Sequence, residues 1–202
     1  MQVVNHFDFI QEYSLENERV ILRPLTIKDF SLLENYVVSE PDLWQYSLVS
    51  IKHSQDLEKY IQDAVEARKQ KTAYPFIVFD KLIQTYVGVT RFYDIQLANN
   101  TTQLGYTWYS KKVWGTGLNQ HCKFLLLQFA IDEMGFERVE FRADNNNKRS
   151  IAAMQKIGCT IEGILRNHLP LPNGTRRDSI VLSILKEEWI AKLKQNLQAQ
   201  LK

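Results

Sequence analysis

Cysteine is scarce: Cys122 and Cys159 are the only two in 202 residues, far apart and in no C-x-x-C spacing. That excludes a disulfide framework and a cysteine zinc quartet, and leaves two thiols of the kind buried in a reducing cytoplasm. The four histidines, His6, His53, His121 and His168, never fall at metal-ligand spacing, so no metal is expected. No apolar run approaches the roughly 18 residues that span a bilayer. The opening MQVVNHFDFIQEYSLENE lacks a basic stretch followed by an apolar one, so neither a signal peptide nor membrane attachment is expected. Charge of one sign is missing too. With 25 Lys and Arg against 23 Asp and Glu the net is +2, which argues against a nucleic-acid partner, since that needs a basic stripe. Internal repeats, low-complexity tracts and linkers are absent. A cytoplasmic protein, monomer or homodimer, is expected.

What is present is an ordinary globular composition, 45% hydrophobic and 24% charged. A prior of about 150 residues per domain gives one domain over 1–202. Its core is expected at about 20–189, with segment 1–19 and a C-terminal helix at 186–201 as extensions. Residues 20–25 alternate as a strand closed by Pro24. Thr26 with Asp29 three residues on reads as a helix cap, and Ile27, Phe30, Leu33 and Val37 form the stripe behind it. Residues 43–46 form a short turn carrying Trp44, and Ser54 opens a second helix. The period then changes to two, with strands at 74–79, 85–95 and 103–109 rich in β-branched and aromatic residues. A loop at 111–117, a long helix from Leu118 to near Gly135, a strand at 139–144 and a helix from Asn147 to Gly158 follow. Two strands around Pro172-Asn173-Gly174 and an amphipathic helix at 185–201 complete the order. Strand–helix–strand in the middle demands a crossover, hence a parallel pair inside a mostly antiparallel sheet. The fold class is α/β (α+β), three-layered, with helices on both faces of a mixed sheet.

Two stretches carry chemistry. Lys112-Val113-Trp114-Gly115-Thr116-Gly117-Leu118-Asn119 turns from a strand straight into a long helix through two glycines. Such a turn points backbone N–H groups outward at the positive end of a helix dipole, which suits a phosphate. It is not a Walker loop, because no Lys-Ser/Thr follows Gly117, and the dinucleotide fingerprint lacks its third glycine. The second stretch is Asp144-Asn145-Asn146-Asn147-Lys148-Arg149-Ser150, leading to Met154 and Lys156-Ile157-Gly158. Asn147 is a good helix cap, and a polar helix start straight after a strand sits at the open end of the sheet.

In this order the two stretches resemble the GNAT superfamily of acetyl-CoA-dependent N-acetyltransferases. Lys112 to Gly117 matches the Q/R-x-x-G-x-G/A pattern, with Lys112 where Gln or Arg is usual. Asn147 to Ser150 with Lys156-Ile157-Gly158-Cys159 matches N-x-x-S…K-x-G-F/A. Arg23-Pro24-Leu25 and Arg177-Asp178-Ser179…Trp189 look like the branch of ribosomal-protein N-terminal (RimJ/RimL-like) acetyltransferases. The resemblance covers about 20–189. It implies acetyl-CoA in a V-shaped gap where the parallel strands splay, and transfer to a primary amine, either a protein N-terminus or a small molecule. The pantetheine would pair with the backbone of Trp108, Tyr109 and Ser110, and the pyrophosphate would rest on N–H groups of Trp114, Gly115, Thr116, Gly117, Leu118 and Asn119. A backbone N–H near Trp108 or Tyr109 would hold the oxyanion, and Asn147 would bond the pantetheine or a water.

One departure matters. Many members place a Tyr after the Asn as acid for the departing thiolate, and the position here is Met154. Ser150 is the candidate replacement. For the base, Glu140 lies on the strand lining the gap, with an ion pair to Arg142 or Lys112 as the alternative. Glu162 and Asp178 are weaker candidates, and His168 reads as a surface strand residue. Trp44 is either core or one wall of the acceptor pocket. Two other functions stay open: a non-catalytic acetyl-CoA-binding or regulatory module, which the loss of the Tyr would suit, and an acyltransferase using a longer acyl-CoA.

Overall fold

The computed structural model describes residues 7–201; the first six residues, His6 among them, and Lys202 lie outside the described residues. Eight strands form one sheet in the order β1-β2-β3-β4-β5-β6-β8-β7. They are β1 (Leu15–Glu16), β2 (Val20–Pro24), β3 (Ala73–Asp80), β4 (Thr85–Gln96), β5 (Thr101–Tyr109), β6 (Arg138–Asp144), β7 (Thr160–Pro170) and β8 (Arg176–Leu185). Every neighbouring pair is antiparallel except β5–β6. The expected mixed sheet with one parallel pair is therefore present. The two-residue edge strand β1 is too short to show in the sequence pattern.

The helix expected after Thr26 is broken into a 3-10 turn, α1 (Phe30–Leu33) and α2 (Asn35–Ser39). Asp29 starts the break: its carboxylate takes the Thr26 N–H at 2.8 Å and both ends of the Arg23 guanidinium at 2.6 and 3.0 Å. A 3-10 turn at Pro41–Trp44 leads on to α3 (Ser54–Lys69). These helices cover one face of the sheet, where Leu33, Leu57, Ile61 and Ala64 bury against Ile77, Val89 and Trp108. On the other face lie α4 (Leu118–Gln128), α5 (Lys148–Lys156), α6 (Lys186–Glu188) and α7 (Lys194–Gln198), over the larger core.

The long helix and the terminal helix both contain a π turn, Phe129–Glu133 and Trp189–Leu193. The two turns meet, with the fully buried Trp189 donating its indole N–H to Asp132 at 3.0 Å. From Phe7 onward the segment ahead of β1 packs against the larger core. Phe7, Phe9 and Tyr13 are buried against Tyr74, Phe129 and Phe136, and the Tyr13 N–H donates to the Tyr74 hydroxyl at 3.0 Å. Among the described residues no helix is long and apolar enough to cross a membrane, and no group of three His, Cys, Asp or Glu could hold a metal ion.

Three bulges shape the centre of the sheet. β4 gains a residue around Val87, next to Gly88, and another at Asp94, while β5 gains one between Gly105 and Trp108. Gly88 is obligatory for packing: a Cβ there would sit 2.0 Å from the Trp108 carbonyl oxygen. Gly88→Ala should therefore push β4 from β5 and destabilise the protein by about 1–3 kcal/mol, the usual cost of overpacking. Urea unfolding checks this; an unchanged midpoint would show that the two strands can separate freely.

Candidate functional site

β5 and β6 are paired at three positions only, Thr101–Arg138, Thr102–Val139 and Gln103–Glu140. Beyond Gln103 the strands diverge, and a cleft of about 440 Å³ opens between them. The bulge in β5 drives the divergence, since an extra residue bends a strand and increases its twist. Tyr106 occupies the bulge with φ +49°, a left-handed conformation that a bulky residue adopts only when its surroundings hold it. They do: the Tyr60 hydroxyl donates to the Tyr106 carbonyl at 3.2 Å, and the Arg91 guanidinium sits 4.0 Å from the Tyr106 ring centroid.

The cleft runs through the sheet and has two ends. At the donor end stands the glycine turn. Gly115 and Gly117 have φ +74° and +90°, and a Cβ on either would meet nothing within 4 Å. Gly117 is the N-cap of α4 with no side chain capping the helix, so the first-turn N–H groups of an eleven-residue helix face open space. The turn uses some of its own donors. Trp114 N–H bonds Lys111 O at 3.1 Å, Thr116 N–H bonds Val113 O at 3.4 Å, and Gln120 and His121 N–H both bond Gly117 O. Gly115, Gly117, Leu118 and Asn119 carry the N–H donors that remain for an anion among the described residues. Arg149 lies flat over the Trp114 ring, 3.5 Å from its centroid, and closes this wall.

Of the expected site residues, Trp44, Trp108, Tyr109, Trp114, Gly115, Gly117, Asn119, Asn147 and Ser150 line the cleft together. Asn147 caps α5, its Oδ1 accepting the Ser150 N–H at 3.0 Å, and its amide NH₂ has no partner among the described residues. Ser150 Oγ has no partner among the described residues. Trp44 is both wall and core: it is buried and packs edge-on against Trp108, ring centroids 5.4 Å apart.

The other expected residues are placed differently. Ser110 is buried outside the cleft lining; its hydroxyl donates to Glu40 at 2.6 Å and its N–H to Val87 O at 2.7 Å. Glu40 is the residue sequence reading missed here, a buried carboxylate that also accepts the Lys111 N–H at 2.6 Å and so fixes the turn from α2. Thr116 faces away, its hydroxyl donating to Val113 O and accepting from Arg19. The Leu118 side chain is core. Glu140 is held between two guanidiniums, accepting from Arg138 and Arg142 at 2.7 Å each, and does not line the cleft. Glu162 is drawn to Arg138 and Ser183, which hold its carboxyl down to about 2. Asp178 accepts the Asn167 N–H at 2.7 Å.

Three cleft residues had no clear signal in the sequence. Lys123, on α4, is buried with its Nζ 3.2 Å from the Thr107 hydroxyl, and burial holds it down to about 8. His168, expected on the surface, lines the acceptor end because β7 carries two extra residues between Leu165 and Leu169. Its Nδ1 lies 3.0 Å from Ser179 Oγ, which also accepts the Arg177 Nε–H at 2.9 Å. Arg177 is itself buried and lines the same end, with Tyr60, Tyr93 and Tyr106.

Comparisons with known proteins place the chain in a family. The family described as "Acetyltransferase (GNAT) domain" matches residues 19–160. A Bacillus subtilis protein named "Putative ribosomal N-acetyltransferase YdaF" is 25% identical over 175 residues, covering 86% of this chain and 94% of its own. The crystal structure of a GCN5-related N-acetyltransferase from Brucella melitensis matches with a TM-score of 0.88 at 25% identity, over 100% of this chain and 91% of that one. The microcin C7 self-immunity acetyltransferase MccE, solved with acetyl-CoA and AMP, shares the fold at a TM-score of 0.74 and 21% identity, over 84% of this chain and 93% of its own.

Because the space at Gly117 is open, replacing it should strain the backbone without a clash. Gly117→Val is expected to stay folded with a loss of about 1–2 kcal/mol, while its side chain enters the volume above the helix N-terminus. CoA should then bind weakly and raise the melting temperature far less than in the parent. A folded Gly117→Val protein with unchanged CoA affinity would move the phosphate site elsewhere.

Proposed function

This chain belongs to the GNAT family and is an acetyl-CoA-dependent N-acetyltransferase, and we propose that its acceptor is an α-amine, of a protein N-terminus or a small molecule, in the cytoplasm. The observation that carries this reading is the continuous cleft through the sheet, which joins an uncapped helix start on one face to an aromatic chamber on the other. Direct attack needs both substrates to meet at one point, and the splay of β5 from β6 supplies it. The ribosomal acetyltransferase among the relatives supports a protein N-terminus, in keeping with the RimJ/RimL-like branch.

On this reading the pyrophosphate rests on the N–H groups of Gly117, Leu118 and Asn119. The pantetheine extends along the β5 edge that β6 leaves unpaired, past Trp108 and Tyr109. A backbone N–H of that edge polarises the thioester carbonyl and holds the oxyanion. Asn147 turns its NH₂ to the pantetheine, and Ser150 donates its hydroxyl proton toward the departing sulfur. The attacking amine must lose a proton. Glu140 is already paired with two arginines, so it acts by fixing Arg142, and His168 is the group positioned to accept the proton. Burial first, then the charges of Arg142, Arg177 and Arg176, hold its imidazole below the ordinary value, so it is neutral at neutral pH. Nε2 is then free to accept if Nδ1 carries the ring proton and donates it to Ser179 Oγ.

Thiol release from acetyl-CoA against a panel of peptides and small amines tests the function. Binding of acetyl-CoA with no release on the whole panel would make the protein a sensor, and faster release from a longer acyl-CoA would make acetyl the wrong donor. Two variants test the roles. Ser150→Ala should lower kcat by about a hundredfold, the low end for an acid, with little change in acetyl-CoA affinity. Since the neutral imidazole is the active form and its pKa is depressed, kcat/KM should hold down to the ordinary histidine range near ~6.5 and fall only below it. His168→Gln should lower the rate and remove that acidic limb; a limb that survives in His168→Gln would assign it to another group.

A further inference from the structure

Strand alternation sorts the cleft residues by face. On β6, Val139, Phe141 and Ala143 enter the larger core, so Glu140, Arg142 and Asp144 point to the opposite, acceptor face. On β8, Ile180, Leu182 and Ile184 enter that core, which puts Arg177, Ser179, Val181 and Ser183 on the acceptor face. Arg142 is neutralised by Glu140 at 2.7 Å. Arg177 is not. Only 8% exposed, it makes one hydrogen bond, Nε–H to Ser179 Oγ, and no carboxylate lies within ion-pair distance of it among the described residues. Asp144, the nearest opposite charge, turns its Oδ1 to the Asn146 N–H at 2.8 Å instead.

A guanidinium taken out of water without a hydrogen-bonded carboxylate is costly, and burial lowers the Arg177 pKa against the opposing pull of the Asp144 charge. Its planar fork, fixed at Nε by Ser179, leaves both terminal nitrogens without a protein partner at the cleft. Such a fork fits a carboxylate in two parallel hydrogen bonds. Among the described residues the other cations on this face are engaged or lie off the cleft wall: Arg142 is paired with Glu140, Arg91 has no ion pair but is stacked between the rings of Tyr60 and Tyr106 and does not line the cleft, and His168 is neutral. A single cleft-lining guanidinium on this face, with the Asp144 carboxylate nearby, suits a monoanion better than a phosphate dianion.

We infer that the acceptor carries a carboxylate as well as its amine, and that Arg177 binds that carboxylate. The acceptor class is thus an amino acid, or a peptide whose first residues bring a carboxylate into the chamber. This inference rests on the acetyl-transfer reading only for the name of the reaction; the carboxylate site stands on the unpaired Arg177 alone. Ser179 is a positioning residue, since it acts by orienting the fork.

The test uses serine, glutamate and phenylalanine with their carboxamides as acceptors, O-phosphoethanolamine as a phosphate-bearing amine, and the N-acetylated acids and amides as product probes in the presence of CoA. Binding of the probes is read by melting temperature and turnover by thiol release. Acids should be preferred over amides by roughly tenfold or more in both readouts, the worth of a charge-assisted hydrogen bond. Arg177→Gln should erase that preference and Arg177→Lys should restore part of it, which keeps the test valid if the Gln variant folds poorly. Ser179→Ala should weaken the preference with less effect on the amides. Equal response to acid and amide, a preference that persists in Arg177→Gln, or stronger response to the phosphate would each overturn the carboxylate assignment. Probe binding with the expected preference but no thiol release from any amine would uphold the carboxylate site and overturn acetyl transfer.

Discussion

The site depends on one left-handed tyrosine. Tyr106 at φ +49° adds a residue to β5 just beyond Gln103, the last of the three positions paired with β6. A regular β5 would continue to pair with β6, and the sheet would be closed. Holding a bulky residue in that conformation costs of order 1–3 kcal/mol, and several contacts offset it. Arg91 lies between the rings of Tyr60 and Tyr106, Tyr93 meets Tyr106 edge-on at 5.0 Å, and the Tyr60 hydroxyl bonds the Tyr106 carbonyl. Gly105 belongs to the same device, because a Cβ there would stand 2.9 Å from the Tyr93 ring. The aromatic wall of the acceptor chamber and the clamp on the bulge are therefore the same residues, so substrate contacts and sheet geometry cannot vary independently.

The succession of elements, the parallel pair and both motif-bearing helix starts were legible in the sequence because each has a local cause. Period-two alternation marks β3 to β6, glycines mark the turn into α4, and Asn147 marks the start of α5. What was not legible depends on tertiary register. Ser110 looks like a cofactor contact by its place beside Trp108 and Tyr109, but its N–H pairs with Val87 and its hydroxyl with Glu40, seventy positions away in the chain. His168 reads as a surface strand residue, but the irregular stretch between Leu165 and Leu169, with Asn167 at φ +54°, brings its imidazole to Ser179 at the cleft. Glu140 reads as a base on the lining strand. Its two arginine partners flank it at i−2 and i+2 on the same strand face, a pattern visible in Arg138-Val139-Glu140-Phe141-Arg142 once the strand is known. The π turns escape periodicity altogether, since one extra residue barely disturbs the apolar stripe.

The splayed strands also divide the electrostatics. On the donor face, the turn into α4 offers dipole and N–H groups, and Lys123 lies deeper on the same helix with burial holding it near the point of losing its proton. On the acceptor face, Glu140 is paired with Arg138 and Arg142, while among the described residues Arg177 has only the Ser179 hydroxyl as a hydrogen-bond partner. A protonated amine entering this chamber meets cations and a neutral imidazole, and its nearest carboxylate, Asp144, is partly engaged by the turn that starts α5. Such surroundings favour the neutral amine, which is the attacking form. The same cations that would repel a plain alkylammonium attract an acceptor bringing its own negative charge. Lowering the amine's pKa and choosing the acceptor are then two consequences of one charge arrangement, and the bulge at Tyr106 is what exposes that arrangement to the thioester.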